Sequence, residues 1–483
     1  MSQVVSLHPW KRKQHLESAN NQLLIDGVNA TELLERYGSP LYVYSQTKLR
    51  ENALDILGNF RREHANTRVC FASKACANLA VLKVFKECGL SVEVNSGGEF
   101  FKARAAGYAP ADMVFNGVAK QVGELREVIG AGIKAINVDS LSELARILAV
   151  ASELQQQARV TLRIIPEIKG GAAAGWQTGT SASKFGMTSA EQAEAIALIV
   201  QNPQALKMVG IHAHIGTQVN DIAVYEAEAD FLIGYFKQVA EMLPYPLEHV
   251  NLGGGFPKNY SSAPANFDKV AAHYCENYRT SIDFALLSKH LIKPIGQALG
   301  EQIEIIVEPG RSMVSDTAIL LTRIEAEKQR QQRPVYYLDA GYSVLFDIYN
   351  GWYFHMLNAS RADDVQTKQC RMVGPLCDSS DTYYDIEGEG ALNSLLNAEP
   401  ALLAHRDLLE EVLVNQPNMR ELPAATAVGD VIALLDVGAY ALENMTEYCG
   451  RQAAAAVLVD LQQGSRLIRR RAEYQDLLAY DVD

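Results

Sequence analysis

Eight short apolar, strand-like stretches, each trailed by a helix-like one, fill residues 68 to 315 and leave few folds open. The strands read as VCFAS (69–73), SVEV (91–94), DMVFN (112–116), AINVD (135–139), VTLRIIP (160–166), MVGIHAHI (208–215), LEHVNL (247–252) and IEIIVE (303–308). Between them run periodic stretches such as NLAVLKVFKECG, GEFFKARAAG and SLSELARILAVASELQQQ. Apolar residues at a helical period mark one-sided helices, and short continuous apolar runs mark strands buried on both faces. Eight such units in succession are what a closed (β/α)₈ barrel needs. An open doubly wound sheet is the competing architecture, but its GxGxxG fingerprint after the first strand is absent.

After about residue 330 the pattern changes. PVYYLDA (334–340), CRMVGP (370–375), DVIALLDV (430–437), AAVLVDL (455–461) and SRLIRRR (465–471) read as strands of a separate, mostly antiparallel β domain. The early stretch PLYVYS (40–45) is assigned to the same domain. The expected organisation is α/β: residues 1–65 contribute a strand to the β domain, 66–320 form a (β/α)₈ TIM barrel, and 321–483 form the C-terminal β domain. KGGAAAGWQTGTSASKFG (169–186) is a long loop after the fifth strand. On a barrel's catalytic face such a loop is read as functional, with a lid as one possibility.

Composition narrows the function. A formal net charge of −13 argues against a nucleic-acid binder, which would show a basic face. No apolar run is long enough to span a bilayer, and MSQVVSLHPWKRKQHLES lacks a secretory apolar core, so a cytoplasmic location away from membranes is expected. The seven cysteines are scattered without CxxC spacing, which fits reduced thiols better than disulfides or a metal site.

A barrel carries its site at the C-terminal ends of its strands. The polar residues there are Lys74, Glu93, Asn95, Asn116, Asp139, Arg163, His214, Thr217, the run Gly253-Gly254-Gly255, Glu308 and Arg311. Asp139, ahead of SLSELARIL, reads equally as a helix N-cap. Three glycines let backbone N–H groups approach an anion, although a tight turn alone also explains the run. Arg311 at the next strand end tips that reading toward phosphate. A lysine ending a buried strand must pair or lose its charge. Lysine, phosphate cradle, carboxylate and imidazole together point to pyridoxal 5'-phosphate, with Lys74 attached to it and Glu308 at its ring nitrogen.

These residues lie in FASKA, VNSGGE, INVDSLSEL, SKFGM, HAHIGTQ, NLGGGFP, VEPGRS, GPLCDSSD and DVGAY. In combination the chain resembles the fold-type III pyridoxal-phosphate-dependent decarboxylases, the group of diaminopimelate and eukaryotic-type ornithine decarboxylases, over about residues 30 to 475. The resemblance implies an alanine racemase-like barrel with a β domain. It implies that Lys74 binds the cofactor covalently and that His214 stacks on its ring. Thr217, Gly253, Gly254, Gly255, Arg311 and Tyr440 would hold the phosphate, and Glu308 the pyridinium. Cys377 would be the general acid that returns a proton after carbon dioxide leaves. Because that segment enters the neighbouring subunit's site in the family, a head-to-tail homodimer is implied. Arg163 either supports the cofactor site or forms a structural ion pair.

Two departures bear on the substrate. Diaminopimelate decarboxylases generally carry DAGMNDLIRP, whose arginine grips a distal carboxylate; here the stretch is DAGYSVLFDIYNGWY, with Asp347 at that position. Their usual Cys-Glu is here Cys377-Asp378, the pair of ornithine decarboxylases. Aspartates would repel a carboxylate and attract an ammonium. The expected substrate is therefore a basic diamino acid, ornithine or lysine, bound by Asp347, Asp378 and Arg311 and giving a diamine of the polyamine kind. Closer likeness to the diaminopimelate branch suggests the D enantiomer. The alternatives are meso-diaminopimelate decarboxylation to L-lysine, decarboxylation of a siderophore or antibiotic precursor, and, in other classes, an amino-acid racemase or a non-catalytic cofactor-binding protein.

Overall fold

The computed structural model describes residues 14–170, 178–260, 279–330, 332–414 and 418–482. It divides into two compact units. One comprises the described residues of 49–258 and 280–313; the other comprises those of 1–48, 259–279 and 314–483. The boundaries read from the sequence, after 65 and after 320, therefore fall earlier. Helix Gln46–Glu63 explains the first shift: it buries Leu49, Ala53, Ile56 and Phe60. Phe60 packs edge-on against Phe256 and Phe284, each with ring centroids 5.8 Å apart, so this helix belongs with the barrel.

The first unit is a closed barrel of eight parallel strands. We label them β1 Thr67–Ala72, β2 Ser91–Val94, β3 Met113–Phe115, β4 Ala135–Val138, β5 Ala158–Arg163, β6 Leu206–His212, β7 His249–Asn251 and β8 Glu304–Val307. They follow chain order around the barrel, and β8 closes on β1. Buried Cys70, Val114, Ala135, Val209 and Ile306 form an apolar cluster on the strands. Helices between strands start on side-chain caps, as at Ser96 and Thr188, each taking the N–H of a glutamate three residues on.

The second unit is built on a nine-stranded sheet. At its centre the 13-residue strand Ala318–Arg330 pairs antiparallel with Leu41–Ser45, Arg333–Leu338 and Val431–Leu435. Leu41–Ser45 is wholly buried and also pairs, in parallel, with Ala455–Asp460. Arg333–Leu338 with Thr367–Val373 is the other parallel pair; the remaining ladders are antiparallel. Helices Ile386–Ala398 and Arg406–Leu413 interrupt the strands and were not expected from the sequence. Among the described residues no helix is long and apolar enough to cross a membrane.

Candidate active site

The barrel brings most of the expected residues to one end. Lys74 lies in the single turn Ser73–Ala75 directly after β1. Its side chain is exposed. The turn carries it just past the strand's buried end. Glu93 in β2, Asn116 after β3, Asn137 in β4, Arg163 ending β5, His212 ending β6, Asn251 ending β7 and Glu308 after β8 are all buried. Side chains alternate along a strand, so the last inward position of each points to the barrel axis.

Glu308 is the hub. Its carboxylate accepts from Asn116 Nδ2 at 2.7 Å, Asn251 Nδ2 at 2.7 Å and Asn137 Nδ2 at 3.3 Å. His212 Nε2 lies 3.5 Å away. Burial alone would raise this carboxyl, but contact with His212 and the amides brings it down to about 2. Glu93 faces the opposite situation. Asn95 Nδ2 donates to it at 3.1 Å and the Asn116 amide also acts on it, but among the described residues its Oε1 has no hydrogen-bond partner. Burial, only partly offset by the Lys74 charge and reinforced by Glu308, raises it to about 8.

His214 is fixed as a neutral imidazole. Its Nδ1 accepts the Gly254 N–H at 3.1 Å, and burial, with the charges of Arg163 and Lys74, holds it well below the ordinary histidine range. The glycine run is required by space. A Cβ on Gly254 would overlap the Glu308 carbonyl oxygen, and one on Gly255 the Gly216 carbonyl oxygen. Gly253 and Gly255 also take φ of 62° and 91°. The Gly253 N–H donates to Asn251 Oδ1 at 3.0 Å, so two of the three amides orient neighbouring side chains rather than an anion. Thr217 and Arg311 follow β6 and β8, the two strands flanking the glycine run. A ring-shaped group with an anionic tail fits this face: the glycine turn leaves its backbone uncovered by side chains, beside a neutral imidazole and an ionised carboxylate.

Asp139 is not the helix cap; Ser140 is, taking the Glu143 N–H. The Asp139 carboxylate instead accepts from the Gly186 N–H at 2.9 Å and stands 4.0 Å from Arg163. Arg163 also lies over the Phe185 ring, 4.2 Å from its centroid. Thr178 Oγ1 donates to the His214 carbonyl at 2.8 Å. The described part of the 169–186 loop is thus tied to the strand ends; residues 171–177 lie outside the described residues.

The second unit carries the remaining residues. Cys377 is exposed. Asp378 accepts from Tyr342 Oη at 2.8 Å and from the Ser380 hydroxyl and N–H, which with Tyr342 lower its carboxyl to about 2. Asp347 lies in the turn Phe346–Ile348, and Tyr349, two residues on, packs 5.2 Å from the Tyr342 ring. Tyr440, after strand Val431–Leu435, takes a left-handed φ of 64°, uncommon for a tyrosine. Sequence reasoning missed Asp381. Its buried carboxylate accepts the N–H groups of Tyr342 at 2.9 Å and Leu376 at 2.8 Å, pinning the DAGY and GPLC segments together. His212, Asn137 and Asn251 were also missed, although the strand-end rule with two-residue alternation could have found them.

The family profile of the pyridoxal-dependent decarboxylase, pyridoxal binding domain, matches residues 51–315. A diaminopimelate decarboxylase of Neisseria meningitidis serogroup B is 31% identical, covering 95% of this chain and 97% of its own. The crystal structure of the diaminopimelate decarboxylase of Methanocaldococcus jannaschii superposes with a TM-score of 0.81 at 29% identity, over 97% of this chain and 98% of that one. A lysine/ornithine decarboxylase of Vibrio vulnificus, at 18% identity and a TM-score of 0.66 over 89% of this chain and 97% of that one, shares the fold. The expected fold class, cofactor and enzyme class all stand, and this chain belongs to the fold-type III pyridoxal-phosphate-dependent decarboxylases, as an amino-acid decarboxylase.

Proposed function

We propose that the chain decarboxylates a diamino acid at its D-configured carbon and grips the far end by its ammonium group. The observation carrying this reading is Asp378: ionised at neutral pH, oriented by Tyr342 and Ser380, and placed beside Cys377 in the sequence. An aspartate held as an anion recognises a cation, not a second carboxylate.

Pyridoxal phosphate supplies the electron sink for the departing carboxylate. The chain's own residues divide the remaining work. Lys74 tethers the cofactor. His214, fixed neutral by the Gly254 N–H, would pack against its ring, and Glu308 would meet its nitrogen. The glycine turn, through the Gly255 N–H and the backbone left open by its missing side chains, would take the phosphate with Thr217, Arg311 and Tyr440, with Arg163 behind the ring. Cys377 delivers a proton to the carbon that loses carbon dioxide. A head-to-tail homodimer belongs to the same reading.

Two substrates fit. The full-length relatives back meso-diaminopimelate, giving L-lysine, better than the ornithine or lysine expected from the sequence. The second reading, D-lysine or D-ornithine, is favoured by Asp347, where an arginine would be needed for a distal carboxylate. Carbon dioxide release from meso-diaminopimelate and both enantiomers of lysine and ornithine separates them. Turnover of diaminopimelate alone selects the first reading, and turnover of a D-amino acid but not diaminopimelate selects the second. Activity only on L-lysine or L-ornithine would overturn the assignment of the D-configured carbon.

A further inference from the structure

The barrel end holds two buried carboxyls, Glu93 and Glu308, near enough to influence each other. Two like charges in one dry site are costly, so one carboxyl must carry a proton. Their surroundings differ in donors. Glu308 is met by amides from three separate strand ends, β3, β4 and β7, while Glu93 keeps an oxygen without a hydrogen-bond partner. Asn137 Nδ2 also donates to Asn116 Oδ1, and Asn251 Oδ1 accepts the Gly253 N–H. Each amide is therefore turned with its NH₂ toward Glu308. Among the described residues, the other charged or titratable groups acting on the pair are His212, His214, Arg163, Lys74, Glu99 and Cys70. Burial pushes His212 below its ordinary value while its contact with Glu308 acts the other way, so His212 supports the Glu308 charge alongside the amides.

We infer that Asn116, Asn137 and Asn251 are positioning residues that place the site's negative charge on Glu308 and its proton on Glu93. The inference rests on the reading of Glu308 as the partner of the cofactor's ring nitrogen. A carboxylate there keeps that nitrogen protonated, whereas charge on Glu93 would sit beside Lys74 instead. Asn251 further links the ring end of the site to the glycine turn, since one side chain bonds both Glu308 and Gly253.

The test is titration of apoprotein with pyridoxal phosphate, followed by absorbance across pH, for the unaltered chain and for Asn251→Ala, Asn116→Ala, Glu308→Gln and Glu93→Gln. Loss of one charge-assisted donor should weaken cofactor binding about tenfold and shift the pH of the cofactor's absorbance transition, in both asparagine variants. Asn116→Ala, on another strand, keeps the inference testable if Asn251→Ala does not fold. Glu308→Gln should cost more than either, and Glu93→Gln, which mimics a protonated acid, should leave the spectrum nearly unchanged. The inference is overturned if both asparagine variants match the unaltered protein while Glu308→Gln does not, or if Glu93→Gln shifts the spectrum as far as Glu308→Gln. If Glu308→Gln itself changes nothing, the reading of Glu308 falls, and the inference with it.

Discussion

The barrel's strand ends and the loops of the β unit hold their polar residues in contrasting ways. In the barrel, Glu93, Asn116, Asn137, His212, Asn251 and Glu308 are all buried, and each is carried by a different strand or the residue just after it. In the β unit, Cys377 is exposed, Asp378 partly so, and both ride on a loop held by Asp381. The barrel fixes side chains through backbone pairing shared by eight strands. The β unit fixes a segment through loop contacts, among them the Asp381 carboxylate with two N–H groups and Tyr342 Oη on Asp378. Under the proposed function, the first arrangement would serve the chemistry and the second the choice among substrates.

The largest effect expected on this contrast comes from Gly254→Ala. Its Cβ has no room against the Glu308 backbone, so the variant should lose at least about 3 kcal/mol of stability and all measurable cofactor binding. Chemical denaturation and cofactor titration would check both; a well-folded variant that binds the cofactor normally would break the contrast at its rigid end. Next in size is Asp381→Ala, which strands two N–H groups at a cost of about 2 kcal/mol to the loops. Here the cofactor's affinity and spectrum should stay intact while KM rises severalfold. Equal damage to cofactor affinity would show that the two regions are not separable in this way.

The smallest effect on the site concerns Glu228, a control for burial without a site. Among the described residues neither of its buried oxygens has a hydrogen-bond partner, and burial raises its carboxyl well above the ordinary range. A raised acid binds a proton in the folded state that the unfolded chain has released above its ordinary value near 4.3, so stability falls as pH rises from there. Glu228→Gln removes that dependence. Thermal unfolding should show a small difference from the unaltered protein at pH 5, widening in the variant's favour toward pH 8 by up to about 1.4 kcal/mol for each pH unit. A gap that narrowed with pH would contradict the sign.

The barrel was legible because its signal is local. Each strand and helix declares its period within a dozen residues, and Lys74, His214 and Glu308 stand where strands end. What stayed hidden depends on pairing across the chain. Asn251 looks like any strand asparagine until Glu308, 57 residues later, is seen beside it. Asp139 had the right chemistry for a cap, but Ser140 took that place and left it free to bond Gly186. Strand Ala318–Arg330 crosses the expected boundary at 320, since its first half is apolar and its second half polar and exposed. The helices after residue 385 went unread for want of strong flanking periodicity in a region dominated by strands.

Strand Leu41–Ser45 has a consequence for synthesis. Its neighbours in the sheet begin at Ala318 and Ala455. A chain emerging from the ribosome makes this apolar stretch, LYVYS, hundreds of residues before either partner exists. The barrel, complete by Met313, can close while that segment waits. Until the last strands arrive, its unpaired backbone is open to strands of other nascent chains, so slow translation near the C-terminus should favour aggregation or capture by a chaperone.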